Sequence, residues 1–190
     1  MHKAIKVLIL ASIFLNFSVG LFGPIYAIFV EKIGGDILSA SQAIALYSII
    51  FGVLKILFGK IGDINWNKRK MITAGYLLNA LGFAGYMIVQ NPLQLFLVQI
   101  VLGIGDAIKN PAWEAIFSKS LDRRMESTEW AYWGGSVSIT YGIASFIGGN
   151  IAMFFGFRIL FAIMAIATAI SVVISTLLFR RKIIIGFLKV

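Results

Sequence analysis

The sequence predicts an all-α membrane protein: a single domain over residues 1–190 that crosses the bilayer six times. Three observations carry this. Hydrophobic residues make up 59% of the chain and charged residues 13%, whereas a soluble domain is about a quarter charged. Six stretches each hold the roughly 20 mostly apolar residues that span hydrocarbon. Lysine and arginine collect between alternate stretches, as cytoplasmic loops do.

The first stretch is Ile5–Val30. Lys3 and Lys6 stand at its start, ahead of the apolar run, in the manner of a signal peptide, but the run exceeds a signal h-region and five others follow, so an uncleaved first helix is expected. Gly34-Gly35 punctuates the first loop, and the second stretch is Ser39–Ile61. The third, Met71–Gln90, ends at the turn signal Asn91-Pro92, and the fourth is Leu93–Phe117. Gly156 separates the fifth, Trp130–Phe155, from the sixth, Arg158–Phe179.

One side of this arrangement carries Lys3, Lys6, Lys60, Lys68, Arg69, Lys70, Lys119, Arg123, Arg124, Arg180, Arg181, Lys182 and Lys189, while the other carries only Lys32 and Arg158. The basic side is expected in the cytoplasm, with both chain ends, in a multi-pass protein of the cell membrane. The net charge of +9 is then a topology signal. Anionic lipid headgroups are the expected partners of that face, and nucleic acid is not.

The chain has no cysteine, and its only histidine is His2. Disulfides, thiolate chemistry and histidine catalysis are excluded or without material. Asp106 and Glu114 are the carboxylates well inside the spans, too little for an enzyme. No enzyme activity, cofactor or metal is expected.

Asp106 lies near the middle of the fourth stretch, where an aspartate costs about 2.5–3.5 kcal/mol on insertion scales and must face protein or water. Lys109 and Asn110 share its helical face. Two readings stand: a self-neutralising Asp106–Lys109 pair, or an ionisable group that meets substrate or a proton. Asn16 in the first stretch and Gln99 in the fourth are further candidates for the same pathway. Pro24 and Pro111 each free a carbonyl one turn earlier, at Gly20 and Ala107, which suits a cavity or a plain kink. Gly135, Ser138, Gly142, Ser145 and Gly149 align on one face of the fifth helix, with Ala131 and Ala152 at the ends. Such a face suits a tight helix contact, or a sliding surface. Trp66, Trp113, Trp130 and Trp133 are expected as interfacial anchors.

The second stretch ends in GKIGDINWNKRK, residues 59–70. Asp63 there sits at a helix C-terminus, the wrong end for a carboxylate, so a basic neighbour or another helix N-terminus must stabilise it. Gly59, Asp63, Lys68 and Arg69 resemble, in order, the signature between the second and third helices of the major facilitator superfamily of secondary transporters, and with Gly62 they form the candidate conformational-switch loop. Asn67 stands where the family has a second glycine, and one extra residue lies near Trp66. Other segments resemble the same family: QIVLGIGDAIKNP at 99–111, with Gln99 in place of an arginine; GIASFIGGN at 142–150, with Ala144 and Ser145 in place of a Gly-Pro pair; and the FGFRILF link. GPIYAIF (23–29) and NPAWEAIF (110–117) are similar across three spans, either by chance or as copies of an inverted three-plus-three repeat.

The resemblance implies an MFS-like half: a half-size transporter moving an unidentified small solute by alternating access. The alternative is a non-transporting interaction subunit or degenerate half-transporter. Six helices supply only one of the family's two bundles. The expected partner is therefore a second copy, inserted parallel as a homodimer, or a separate second half.

Overall fold

The computed structural model describes residues 2–64 and 67–177. Trp66, Arg180, Arg181, Lys182, Lys189 and the end of the sixth predicted stretch lie outside the described residues. Those described form helices joined by short connections, and six helical segments are long and apolar enough to cross a membrane. In lipid every backbone N–H must be satisfied locally, so apolar length converts directly into helix.

The first span is α1 (Lys3–Phe22), a 3-10 turn at Gly23–Ile25, and α2 (Tyr26–Lys32). The second is α3 (Ile37–Ile64), and the third is α4 (Lys68–Gly85) with a 3-10 turn to Ile88. The fourth is α5 (Pro92–Ser120), the fifth α6 (Glu126–Phe155) and the sixth α7 (Phe157–Thr176). Several helices run two to four residues beyond the predicted stretches, and polar side chains cap the added first turns of α3 and α4. Asp36 accepts from both the amide and the hydroxyl of Ser39 at 2.7 Å, and these bonds hold its carboxyl below the usual carboxylate range. Asn91 accepts from the Gln94 amide at 3.0 Å and Pro92 takes the first helical position, so Asn91-Pro92 is a helix start. Asn67, the departure from the family glycine, caps α4 by accepting from the Arg69 amide at 3.1 Å. Gly156 has φ +83°, which lets α6 pass into α7 with no longer loop.

The packing has a symmetry that decides the repeat question. α5 packs on α3 and α4; α1 packs on α6 and α7; α4 packs on α7. Exchanging spans one to three with spans four to six maps each of these pairings onto another or onto itself. Three spans separate the copies, so they run oppositely through the bilayer, as an inverted three-plus-three repeat requires. Pro24 and Pro111 take equivalent places, each about two turns before its span ends. They act differently. At Pro24 the helix breaks into the 3-10 turn, and the freed Gly20 carbonyl accepts from the Ser145 hydroxyl at 3.2 Å. At Pro111 the helix continues.

Small polar groups join α1 to α7. Thr168 donates to the Ser18 hydroxyl (2.9 Å), Ser18 donates to the Met164 carbonyl (2.9 Å), and Ser171 donates to the Ala11 carbonyl (2.8 Å). Towards the Gly34 end an aromatic core closes the bundle, with Phe161 about 5 Å from Phe22, Phe29 and Tyr86, ring centre to ring centre.

Candidate functional site

Near the middle of the spans, Asp106 is the hub of a polar cluster drawn from three helices. Its Oδ2 accepts from the Tyr47 hydroxyl of α3 at 2.6 Å. Its Oδ1 accepts from Asn79 Nδ2 of α4 at 2.8 Å and from Lys109 Nζ, one turn along α5, at 3.0 Å. Lys109 is buried and lies 5.3 Å from the centre of the Tyr76 ring. Gly75 and Gly105 let α4 and α5 come this close, since a Cβ on either would meet backbone or side-chain atoms of the facing helix. Asp106 is thus a paired carboxylate that also ties α3, α4 and α5 together.

Beside this cluster a cleft of about 250 Å³ runs between the two repeats. Phe22, Tyr26, Tyr47, Phe83 and Tyr86 line it, with Asn79, Gln99 and Asp106 as polar groups. Gln99 donates to the Tyr26 hydroxyl at 2.8 Å. Of the five predicted pathway residues, the structure brings Gln99 and Asp106 to the cleft. Lys109 stands behind Asp106 and is not in the lining. Asn16 is turned onto its own helix, donating to the Ser12 carbonyl at 2.8 Å, and neither it nor Asn110 lines the cleft. Both lie on the expected helices, but the rotation of each helix about its axis aims them elsewhere. Sequence reasoning missed Tyr26, Tyr47, Asn79 and Tyr86. For Tyr26 and Tyr47 the available signal was a tyrosine inside a span.

At the Lys68 end a second cleft of about 300 Å³ contains Gly59, Gly62, Asp63, Lys68, Pro111 and Glu114. Lys68 donates to the Gly62 carbonyl at 2.6 Å and lies 3.4 Å from Asp63 Oδ1. One ammonium thus satisfies the end of α3 and offsets the misplaced carboxylate. Asp63 remains largely exposed, so within this chain the contact contributes little, about 0–1 kcal/mol. Among the described residues Arg69 enters through its backbone amide. Lys55 and Glu114 pair at 2.7 Å across α3 and α5.

The stripe of small residues is largely open, not packed, within the described chain. Gly135, Ser138 and Gly142 are not buried, and a Cβ at Gly135, Gly142 or Gly149 would meet nothing within 4 Å. The contact of α6 with α1 uses the neighbouring face, where Ala144 is fully buried and Gly148 lies directly on the Leu21 backbone. Ser145, at the edge between the faces, is the stripe residue that reaches a partner across the interface, the Gly20 carbonyl. Trp113 is likewise no interfacial anchor. It is buried against Phe117 (4.7 Å) and Trp133 (5.1 Å), which bridges α5 to α6.

A bundle of six membrane-spanning helices in inverted repeats, with an aromatic and polar cleft between the repeats, defines a polytopic membrane protein of the secondary-transporter fold. The profile of the Major Facilitator Superfamily matches residues 8–183, and the chain belongs to that family. Among curated relatives it is 22% identical to the multidrug resistance protein MdtG of Erwinia billingiae (strain Eb661), over 95% of this chain and 45% of the relative. It is 27% identical to the quinolone resistance protein NorB of Staphylococcus aureus (strain bovine RF122 / ET3-1), over 74% of this chain and 30% of the relative. A solved structure, the POT family transporter PepTSo, superposes with a TM-score of 0.74 at 16% identity, covering 93% of this chain and 37% of that one. The chain thus spans less than half the length of the proteins it matches.

Proposed function

We propose that this chain is one six-span half of a secondary transporter, moving a small solute by alternating access against a second six-span bundle. The supporting observation is an unpartnered side of the bundle. α3 buries only Ala40, Ala43 and Gly62, and α6 only Glu129, Ala144 and Gly148. The glycine face of α6 is open as well, since a Cβ at Gly135, Gly142 or Gly149 would meet nothing within 4 Å. Small residues give poor contact with acyl chains and good contact with another helix. The partner is a second copy of this chain or a separately encoded half, and Asp63 would gain there the facing helix it lacks here. Gly59, Gly62, Asp63, Lys68 and Arg69 form the loop that moves against it.

The test is mass determination in nanodiscs with crosslinking between tagged copies, alongside uptake by proteoliposomes containing only this chain. Transport by a strict monomer at every protein-to-lipid ratio would exclude the two-bundle reading. A dimer without uptake would favour the alternative, a non-transporting interaction subunit. That alternative draws on one observation: the charges of Asp106 and Lys109 are spent on each other.

Orientation in the cell membrane follows the charge bias. The Lys68 and Arg123 loops are proposed to be cytoplasmic and the Gly34 and Asn91 loops external. The chain has no native cysteine, so a single cysteine introduced at position 34 should react with an impermeant maleimide on intact cells. One at position 123 should react only after permeabilisation, and the reverse pattern would invert the topology.

A further inference from the structure

The two basic residues of the Gly34 side, Lys32 and Arg158, line one cavity of about 460 Å³ at that end of the bundle. They reach it from different repeats, Lys32 from the end of α2 and Arg158 from the start of α7. Lys32 Nζ lies 5.5 Å from the centre of the Phe157 ring, a cation–π contact that keeps the ammonium at the cavity. Arg158 stands in the first turn of α7. A helix N-terminus carries partial positive charge and is an unfavourable place for a cation. Gly156 caps that terminus and has no side chain to accept its free N–H groups. Positive charge from three sources therefore gathers at one opening.

The carboxylates of this side leave it uncompensated. Among the described residues neither Lys32 nor Arg158 pairs with a carboxylate. Glu31 adjoins Lys32 in sequence, but a helix turns residues i and i+1 away from each other. Asp36 is engaged by the amide and hydroxyl of Ser39. Both carboxylates line a separate recess on the α2–α3 link. The rest of the cavity is largely apolar, with Gln90 and Tyr86 as its uncharged polar side chains. Phe155, which lines it, is 65% exposed, and Phe154 beside it is 70% exposed. The cavity thus adjoins rings that face acyl chains.

We infer that this cavity binds the phosphate of a net-anionic phospholipid, with Lys32 and Arg158 on the phosphate oxygens and the start of an acyl chain along Phe155. The cavity lies where the spans end, at the depth of headgroups. A guanidinium offers phosphate two parallel N–H donors, and an ammonium adds a point charge. A zwitterionic lipid would bring its own ammonium against these cations. A soluble anion would use the cations and leave the apolar lining wet. The site lies at the opposite end of the bundle from the Lys68 loop. It is also distinct from the central cleft, although Tyr86 touches both. The inference holds whether or not the chain transports.

The many basic residues of the other face also attract anionic lipid, so the test needs a local probe. The chain has no native cysteine. Gln90→Cys places a thiol in the cavity lining, and Leu38→Cys places one on the same side, outside the cavity. Alkylation by neutral N-ethylmaleimide is timed for each full-length variant in nanodiscs of phosphatidylcholine, with and without one-third phosphatidylglycerol. The position-38 rate corrects for the effect of the charged surface on any thiol. After that correction, phosphatidylglycerol is expected to slow the position-90 reaction at least about tenfold, as a mostly occupied site requires. Adding Lys32→Gln and Arg158→Gln should reduce the slowing to less than about twofold and leave the rate in pure phosphatidylcholine unchanged. Both residues are exposed, and their loss keeps the charge bias between the two faces. If the double variant does not fold, the comparison of the two lipids on the Gln90→Cys protein still decides. Equal corrected rates in the two lipids overturn the inference, and so does protection that survives the double variant. Millimolar glycerol phosphate is added to the pure phosphatidylcholine nanodiscs as the last arm. Protection there as full as with phosphatidylglycerol would assign the cations to a soluble anion and overturn the lipid.

Discussion

Lys109→Met is expected to cost the protein most of its folded yield, and adding Asp106→Asn to the same chain is expected to restore it. The ammonium is buried and 3.0 Å from Asp106 Oδ1. Without it the carboxylate keeps only the neutral donors of Tyr47 and Asn79, near mid-membrane. Breaking a buried pair by removing one partner costs about 3–5 kcal/mol, because the other charge is left uncompensated. In the double variant neither charge remains, and the new amide can still meet Tyr47 and Asn79. Asp106→Asn alone should fall between, with Lys109 left only the ring of Tyr76. Thermal unfolding and the monodisperse fraction in detergent provide the measurement. A Lys109→Met protein as stable as the unmodified one would mean that the pair does not hold α3, α4 and α5 together.

The second large effect separates two adjacent glycines. Gly148→Val places a Cβ on the Leu21 carbonyl, and backbone cannot yield as a side-chain tip can. α1 and α6 must part, with a loss of at least the ~1–3 kcal/mol typical of overpacking. Gly149→Val meets nothing within 4 Å, so the isolated bundle should unfold within ~0.5 kcal/mol of the unmodified chain. If the stripe faces a second bundle, that same variant should lose crosslinking between copies and lose uptake. Equal stability losses at 148 and 149 would show that α6 is rotated from its place in the structure. Unchanged assembly and uptake in Gly149→Val would remove the stripe from the interface.

The contrast of these neighbours shows where sequence reasoning stops. Periodicity placed Gly135, Gly142 and Gly149 on one face, and they are on one face. It did not say that α1 would meet the next face round, at Ala144 and Gly148, because small residues occur on both. Asp106 and Lys109 were legible as partners because a helix brings i and i+3 together whatever else the chain does. Tyr47 and Asn79 were not, since they lie 59 and 27 residues from Asp106, and nothing local ties them to it. The similarity of GPIYAIF to NPAWEAIF was too short to separate a repeat from chance. The pairing of α1 with α6 and α7, mirrored by α5 with α3 and α4, separates them.

By itself the sequence determined the six helices, their approximate ends and the asymmetry of charge between the two faces. Each is set by local physics: apolar length against hydrocarbon thickness, backbone hydrogen bonds closed within a segment, and the placement of Lys and Arg. The tertiary structure alone decided which face of each helix meets which neighbour. It turned Asn16 onto its own backbone, aimed Gln99 at Tyr26, and left the small-residue face of α6 open. The physical reason is that a wholly apolar helix has no wet side to fix its rotation. In lipid that rotation is set by close packing and by the few polar contacts between helices, and those contacts join residues far apart in the chain.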